Sequence, residues 1–169
     1  MPMSGITARS DQQPVPLLVT VTLTYSVMED RVRLDGIDSE GETLTLWLTA
    51  RLLSRLIPYL QQQQPEKRSM HQVSPRSVAA ASQKTDAVQC SAGSPEVLVV
   101  SVDVRSRTGS ICLSFKDIDH YQRATFVLSA ETFDCWSSGL KQCFKRAGWP
   151  QDVFERYSTI AEEAAITVH

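Results

Sequence analysis

The chain is 169 residues long, 42% hydrophobic and 21% charged, with 17 basic and 19 acidic side chains and a formal net charge of -2. That length accommodates one domain of about 100–150 residues with an arm or linker to spare, and the composition is that of a globular chain rather than a disordered or fibrous one. Near-neutral charge excludes a nucleic-acid binder driven by bulk electrostatics but leaves room for a local basic face.

No apolar run approaches the roughly 20 residues of a membrane-spanning helix, and residues 1–13 hold one Arg, one Asp and no apolar core, so no secretory leader is expected. A cytoplasmic chain with no membrane partner follows. None of the four cysteines (Cys90, Cys112, Cys135, Cys143) sits in a C-x-x-C pair, so they are expected as small buried thiols rather than a disulfide framework.

Residues 1–16 are polar with scattered proline and are expected as a flexible N-terminal arm. Alternation then begins. Val19, Val21, Leu23 and Tyr25 point one way and Thr20, Thr22 and Thr24 the other, the two-residue period of a half-buried strand. A second strand, 31–35, turns Val32 and Leu34 inward and Arg31 and Arg33 outward. Asp35-Gly36 and Glu40-Gly41 are read as turn signals leading to a third strand, where Leu44, Leu46 and Leu48 alternate with Thr43, Thr45 and Trp47. The period then changes to 3.6: Leu52, Leu53, Leu56 and Leu60 form one helical stripe, Thr49 stands at the N-cap, and Pro58 either kinks the helix or marks its last turn. This first unit covers 17–60.

Residues 61–94, with four consecutive Gln and no aromatic side chain, read as a flexible linker. The second unit, 95–148, repeats the order. Leu98, Val100, Val102 and Val104 alternate, then Ile111, Leu113 and Phe115, then Ala124, Phe126 and Leu128; Phe133, Trp136, Leu140 and Phe144 make a helical stripe that Gly148 stops. Within 149–169 a short C-terminal helix is expected from Asp152, burying Phe154, Tyr157 and Ile160.

The two units align. Leu46-Trp47-Leu48-Thr49-Ala50 overlays Phe126-Val127-Leu128-Ser129-Ala130 at an offset of 80, and Ile37-Asp38 meets Ile118-Asp119 at 81. The fold class expected is therefore α+β: two βββα repeats forming a mainly antiparallel sheet of about six strands, with helices packed on its apolar face.

Catalytic patterns are missing. Seven single glycines build no phosphate-cradling loop, and no G-x-S-x-G or H-E-x-x-H occurs. His120 follows Asp117-Ile118-Asp119, which reads as a solvated turn, with a cation or proton-transfer site as the sharper alternative. Cys135 and Cys143 lie about 80° apart on a helix and read as core positions at a stripe edge. No catalytic residue, metal or cofactor is assigned. The outward sheet face is more informative, because Arg31, Arg33, Trp47, Arg105, Lys116 and Arg123 project from it in this pattern. An outward tryptophan among arginines can stack a base or anchor a protein, unless the linker or the other unit covers it.

Arg31-Val-Arg-Leu-Asp-Gly followed by Glu42-Thr-Leu-Thr-Leu-Trp-Leu-Thr-Ala-Arg-Leu-Leu, echoed in 95–148, resembles the tandem strand-then-helix repeats of PUR-type and Whirly proteins. That resemblance implies single-stranded nucleic-acid binding on the sheet face. The same order of elements also resembles the globular heads of the repair-scaffold and centriole-scaffold superfamily. The function expected is a non-enzymatic binding or assembly module, an adaptor or subunit whose partner is a protein or a second copy of the chain. Single-stranded nucleic-acid binding through the six residues above is the alternative, and a small enzyme built on Cys135 or on Asp117, Asp119 and His120 a third.

Overall fold

The structure is a computed structural model that describes residues 14–63 and 87–155. Most of the expected arm and linker, and Tyr157 and Ile160 of the expected last helix, lie outside the described residues. The order of elements is β1 (Leu17–Ser26), β2 (Arg31–Asp38), β3 (Thr43–Leu48), α1 (Ala50–Gln62), β4 (Glu96–Leu98), β5 (Ser101–Arg107), β6 (Ser110–Lys116), β7 (Gln122–Ser129) and α2 (Ala130–Ala147). A single 3-10 turn, Asp152–Phe154, follows.

The class is α+β, with two helices on a seven-stranded mixed sheet of order β4-β3-β2-β1-β7-β6-β5. Each meander is antiparallel, whereas β1 runs parallel to β7 and β3 parallel to β4. The outermost strands, β4 and β5, are consecutive in the chain. Val99 and Val100 alone separate them, the Val99 N–H donating to the Trp47 carbonyl and the Val100 N–H to the Lys116 carbonyl. One stretch of chain therefore serves both edges, and the sheet curls until they meet.

Curling gives the sheet a common inside. Val32, Leu34, Leu46 and Leu48 meet Ile111, Leu113, Phe115 and Leu128 there, all fully buried, and Leu53 and Leu60 of α1 and Leu140 and Phe144 of α2 close the same cluster. Each such side chain contributes about 1.5–3 kcal/mol by leaving water. The caps do what their sequences foretell: Thr49 accepts the Leu52 N–H, Ser129 and Thr132 form a reciprocal capping box, and Gly148 ends α2 at φ 68°. Pro58 lies inside α1, which continues to Gln62.

Several local expectations are corrected. Asp35 and Gly36 lie within β2, not in a turn, because the Asp35 side chain is held by Thr45 and Arg33 and because Leu18 packs where a Cβ on Gly36 would stand, 2.8 Å from its Cδ1. Val19 faces solvent, 56% exposed, since a register shift between Leu18 and Thr20 turns it out of the core. The strand expected from 98 to 104 is split where its pairing passes from β3 to β6. Val99 is consequently the buried residue there and Leu98 is exposed. Among the cysteines only Cys143 is buried, and burial pushes its thiol up; Cys90 and Cys112 are half-buried and Cys135 is exposed. The helix expected from Asp152 is one 3-10 turn whose leading residue, Gln151, makes no side-chain cap; Val153 and Phe154 are buried, with Phe154 against Phe144.

Candidate binding surface

The two meanders are built on matching hydrogen bonds. The Thr45 N–H donates to the Pro95 carbonyl at 2.9 Å, and the Thr125 N–H to the Pro16 carbonyl at 2.9 Å. At the β2–β3 turn Asp38 Oδ1 accepts from the Glu40 and Glu42 N–H groups; at the β6–β7 turn Asp117 Oδ1 accepts from those of Asp119 and Tyr121. Gly41 at φ 89° and His120 at φ 64° take the same place in these turns. The turn match is therefore Asp38 with Asp117, not Ile37-Asp38 with Ile118-Asp119. Residue identity between Ile37 and Ile118 misleads there, while the carboxylate that caps the turn carries the geometry.

The pairing also fixes which outward side chains correspond. Thr22, Asp35 and Thr45 form a row across β1, β2 and β3; Asp103, Ser114 and Thr125 form one across β5, β6 and β7. One row further along, Thr24, Arg33 and Trp47 match Arg105, Cys112 and Val127.

On the first face the residues interlock. Asp35 Oδ1 accepts from Thr45 Oγ1 at 2.6 Å and Arg33 Nε at 2.9 Å, and this carboxylate raises the guanidinium pKa of Arg33 further. Arg33 lies over the Trp47 ring, 5.8 Å from its centroid, and Trp47 Nε1 donates to Glu96 Oε2. Residues 87–94 lie across this network. Ser94 Oγ meets Thr43 Oγ1 and the Val88 N–H donates to Thr22 Oγ1. Val88 is 7% exposed and Thr45 not at all, so this part of the expected linker packs on the sheet, and Trp47 beside it is half-buried.

On the second face nothing comparable lies among the described residues. Asp103, Ser114, Thr125 and Cys112 are half-exposed. Lys116 Nζ pairs with Asp103 at 2.6 Å. Around the β1–β7 seam stand Leu17, Val19 and Val127, apolar and 43–56% exposed, with Leu17 opposite Thr125 in the register and Val127 two residues further along β7. Sequence reasoning missed Leu17 and Val19 because their alternation reads as core.

The six sequence-predicted residues do not gather into one cationic patch. Arg31 pairs with Glu29, Arg33 with Asp35, Lys116 with Asp103 and Arg123 with Asp117, and Arg123 also lies over the Tyr121 ring. Trp47 belongs to the covered face. Arg105 is exposed and joins Arg55, Leu52, Leu56 and Tyr59 around a cleft of about 650 Å³ between α1 and β5. The matching approach of α2 to β1 is close, a Cβ on Gly139 falling 3.2 Å from Leu23 Cδ1.

At the Asp117–His120 turn, burial would raise the carboxyl pKa of Asp117, but the Arg123 guanidinium and the two backbone N–H groups outweigh it and hold it below its ordinary value. This carboxylate is committed to structure. Among the described residues no three His, Cys, Asp or Glu side chains gather as a metal site would need, and no helix is long and apolar enough to cross a membrane. Compared with family models, curated proteins and solved structures, the chain finds no match in any of the three.

Proposed function

We propose that the chain is a doubled strand-strand-strand-helix module serving as a non-enzymatic protein-binding or assembly unit of the cytoplasm. Its contact surface is the outer face of β5, β6 and β7 with the exposed start of β1. The paired Pro16 and Pro95 hydrogen bonds and the two Asp-capped turns support the doubling. One observation carries the choice of surface: the row Thr22, Asp35 and Thr45 of the first half lies under residues 87–94, with Thr45 fully buried, whereas the matching row Asp103, Ser114 and Thr125 is half-exposed among the described residues, beside the exposed apolar Leu17, Val19 and Val127.

The charge arrangement favours a protein over a nucleic acid. Phosphate binding draws its free energy from cations that shed counterions, and Arg31, Arg33, Lys116 and Arg123 already neutralise carboxylates. A pull-down from native lysate with and without nuclease tests the proposal. Wild type should retain a protein in both arms, and Val127→Glu should lose it. Capture that vanishes on nuclease treatment, or that survives Val127→Glu, overturns it.

A further inference from the structure

The two helices meet the strands beside them differently. The row that matches Thr22 with Asp103 matches Leu23 of β1 with Val104 of β5, and the offset that sets Thr49 on Ser129 sets Tyr59 of α1 on Gly139 of α2. Having no side chain at this place, α2 comes down on β1, a Cβ on Gly139 falling 3.2 Å from Leu23 Cδ1. A ring stands there on α1, 46% exposed, and the cleft of about 650 Å³ stays open against β5. Its strand wall is the unbroken run Val100 to Arg105, so side chains of both faces line it and the cleft lies along the edge of β5 rather than over one face. β5 is the last strand of the sheet and pairs with β6 alone.

We propose that an extended segment of a protein partner, alternating apolar and acidic side chains, adds to this edge as a further strand between β5 and α1. The site is separate from the outer face proposed above and does not rest on that reading. Charge complementarity names the partner. Arg51, Arg55 and Arg105 stand exposed around this cleft and a smaller one of about 340 Å³ that adjoins it, and none of the three pairs with a carboxylate among the described residues. Asp103, the acidic residue in the wall, is already held by Lys116. Val102 and Val104, with Leu52 and Leu56 of α1, form the apolar side. A strand laid here turns every second side chain toward them and the others toward solvent and Arg105. Main-chain hydrogen bonds supply the affinity of such an addition and side chains its choice of sequence. The fold closes other edges in the same way: β4, three residues long, lies parallel along β3, and Leu17 and Leu18 along β7.

Six residues at ~3.3 Å each span about 20 Å, the length of the wall, which sets the probe as a fluorescein-labelled hexapeptide of alternating valine and glutamate. Fluorescence anisotropy against the full-length chain at low salt should show saturable binding. Arg55→Glu with Arg105→Glu, both exposed and unpaired among the described residues, should weaken it about tenfold, and methylating every peptide nitrogen of the probe should weaken it about tenfold by removing the donors of strand pairing. Val127→Glu should leave it unchanged, so this site and the outer face stand or fall separately. Absence of saturable binding, equal binding of the methylated peptide, or equal binding by the arginine variant overturns the proposal. A labelled oligothymidylate that binds through the same arginines more tightly than the peptide also overturns it, by giving the groove to nucleic acid. So does a wild-type chain that sediments as a dimer and becomes monomeric in the arginine variant, which gives the groove to a second copy.

Discussion

The two outer faces rest on the same backbone hydrogen bonds and carry opposite side-chain chemistry. Where the first half has Asp35, Arg33 and Trp47, the second has Ser114, Cys112 and Val127. The first set needs partners for its charges and its indole N–H, and it finds them in Thr45, in Glu96 and within the set itself, where Arg33 pairs with Asp35. The second set needs none of these, and among the described residues Ser114 and Cys112 are half-exposed and Val127 exposed. Backbone geometry thus decides where the two faces lie, and three side chains on each decide whether the face is sealed or offered.

The comparison can be broken by substitution. Asp35→Ala leaves Thr45 Oγ1 buried without its acceptor and Arg33 without its ion pair, and should cost about 2–3 kcal/mol; Ser114→Ala at the matching place should stay within about 0.5 kcal/mol. Urea unfolding of both variants measures the difference, and equal losses would show that the first face is not an interlocked unit. Asp117→Asn should cost less than Asp35→Ala and should show a pH signature. Because the folded carboxyl titrates below its ordinary 3.8, its contribution is present above that value and is lost as pH falls through the folded pKa. The stability gap between wild type and Asp117→Asn should therefore narrow in acid, as pH-dependent denaturation would record.

Smaller effects sharpen the contrast further. Trp47→Phe removes the bond to Glu96 on a half-exposed ring and should cost about 1 kcal/mol or less, while thermal unfolding of Val127→Thr at the matching position should be nearly unchanged. Trp136 on α2 is the smallest case. Its Nε1 is buried with no acceptor among the described residues, so Trp136→Phe trades lost packing against removal of an unsatisfied donor and should come out within about 1 kcal/mol of wild type.

Much of the fold was legible in sequence because it depends on period. Alternation located the strands of both meanders, the change to 3.6 located α1 and α2, and Thr49 and Gly148 marked the start of the first and the end of the second. What alternation does not encode is pairing. The parallel β1–β7 and β3–β4 seams join segments far apart in the chain, and the register shift beside Val19 follows from that pairing rather than from local composition. The candidate surface was legible only in part for the same reason. Arg33 and Trp47 were correctly placed outward, but their carboxylate partners Asp35 and Glu96 become visible only once β2, β3 and β4 lie side by side.

The division of one strand between two edges has a mechanical consequence. β1 begins against β7 and ends against β2, and the segment holding β4 and β5 begins against β3 and ends against β6, so each meander lends the tip of its first strand to the other. Neither can peel away without opening a seam in both. Nicking the backbone between Gln63 and Ala87 should then yield two polypeptides that stay clasped and melt together in a single cooperative step, like fingers interlaced rather than palms pressed together.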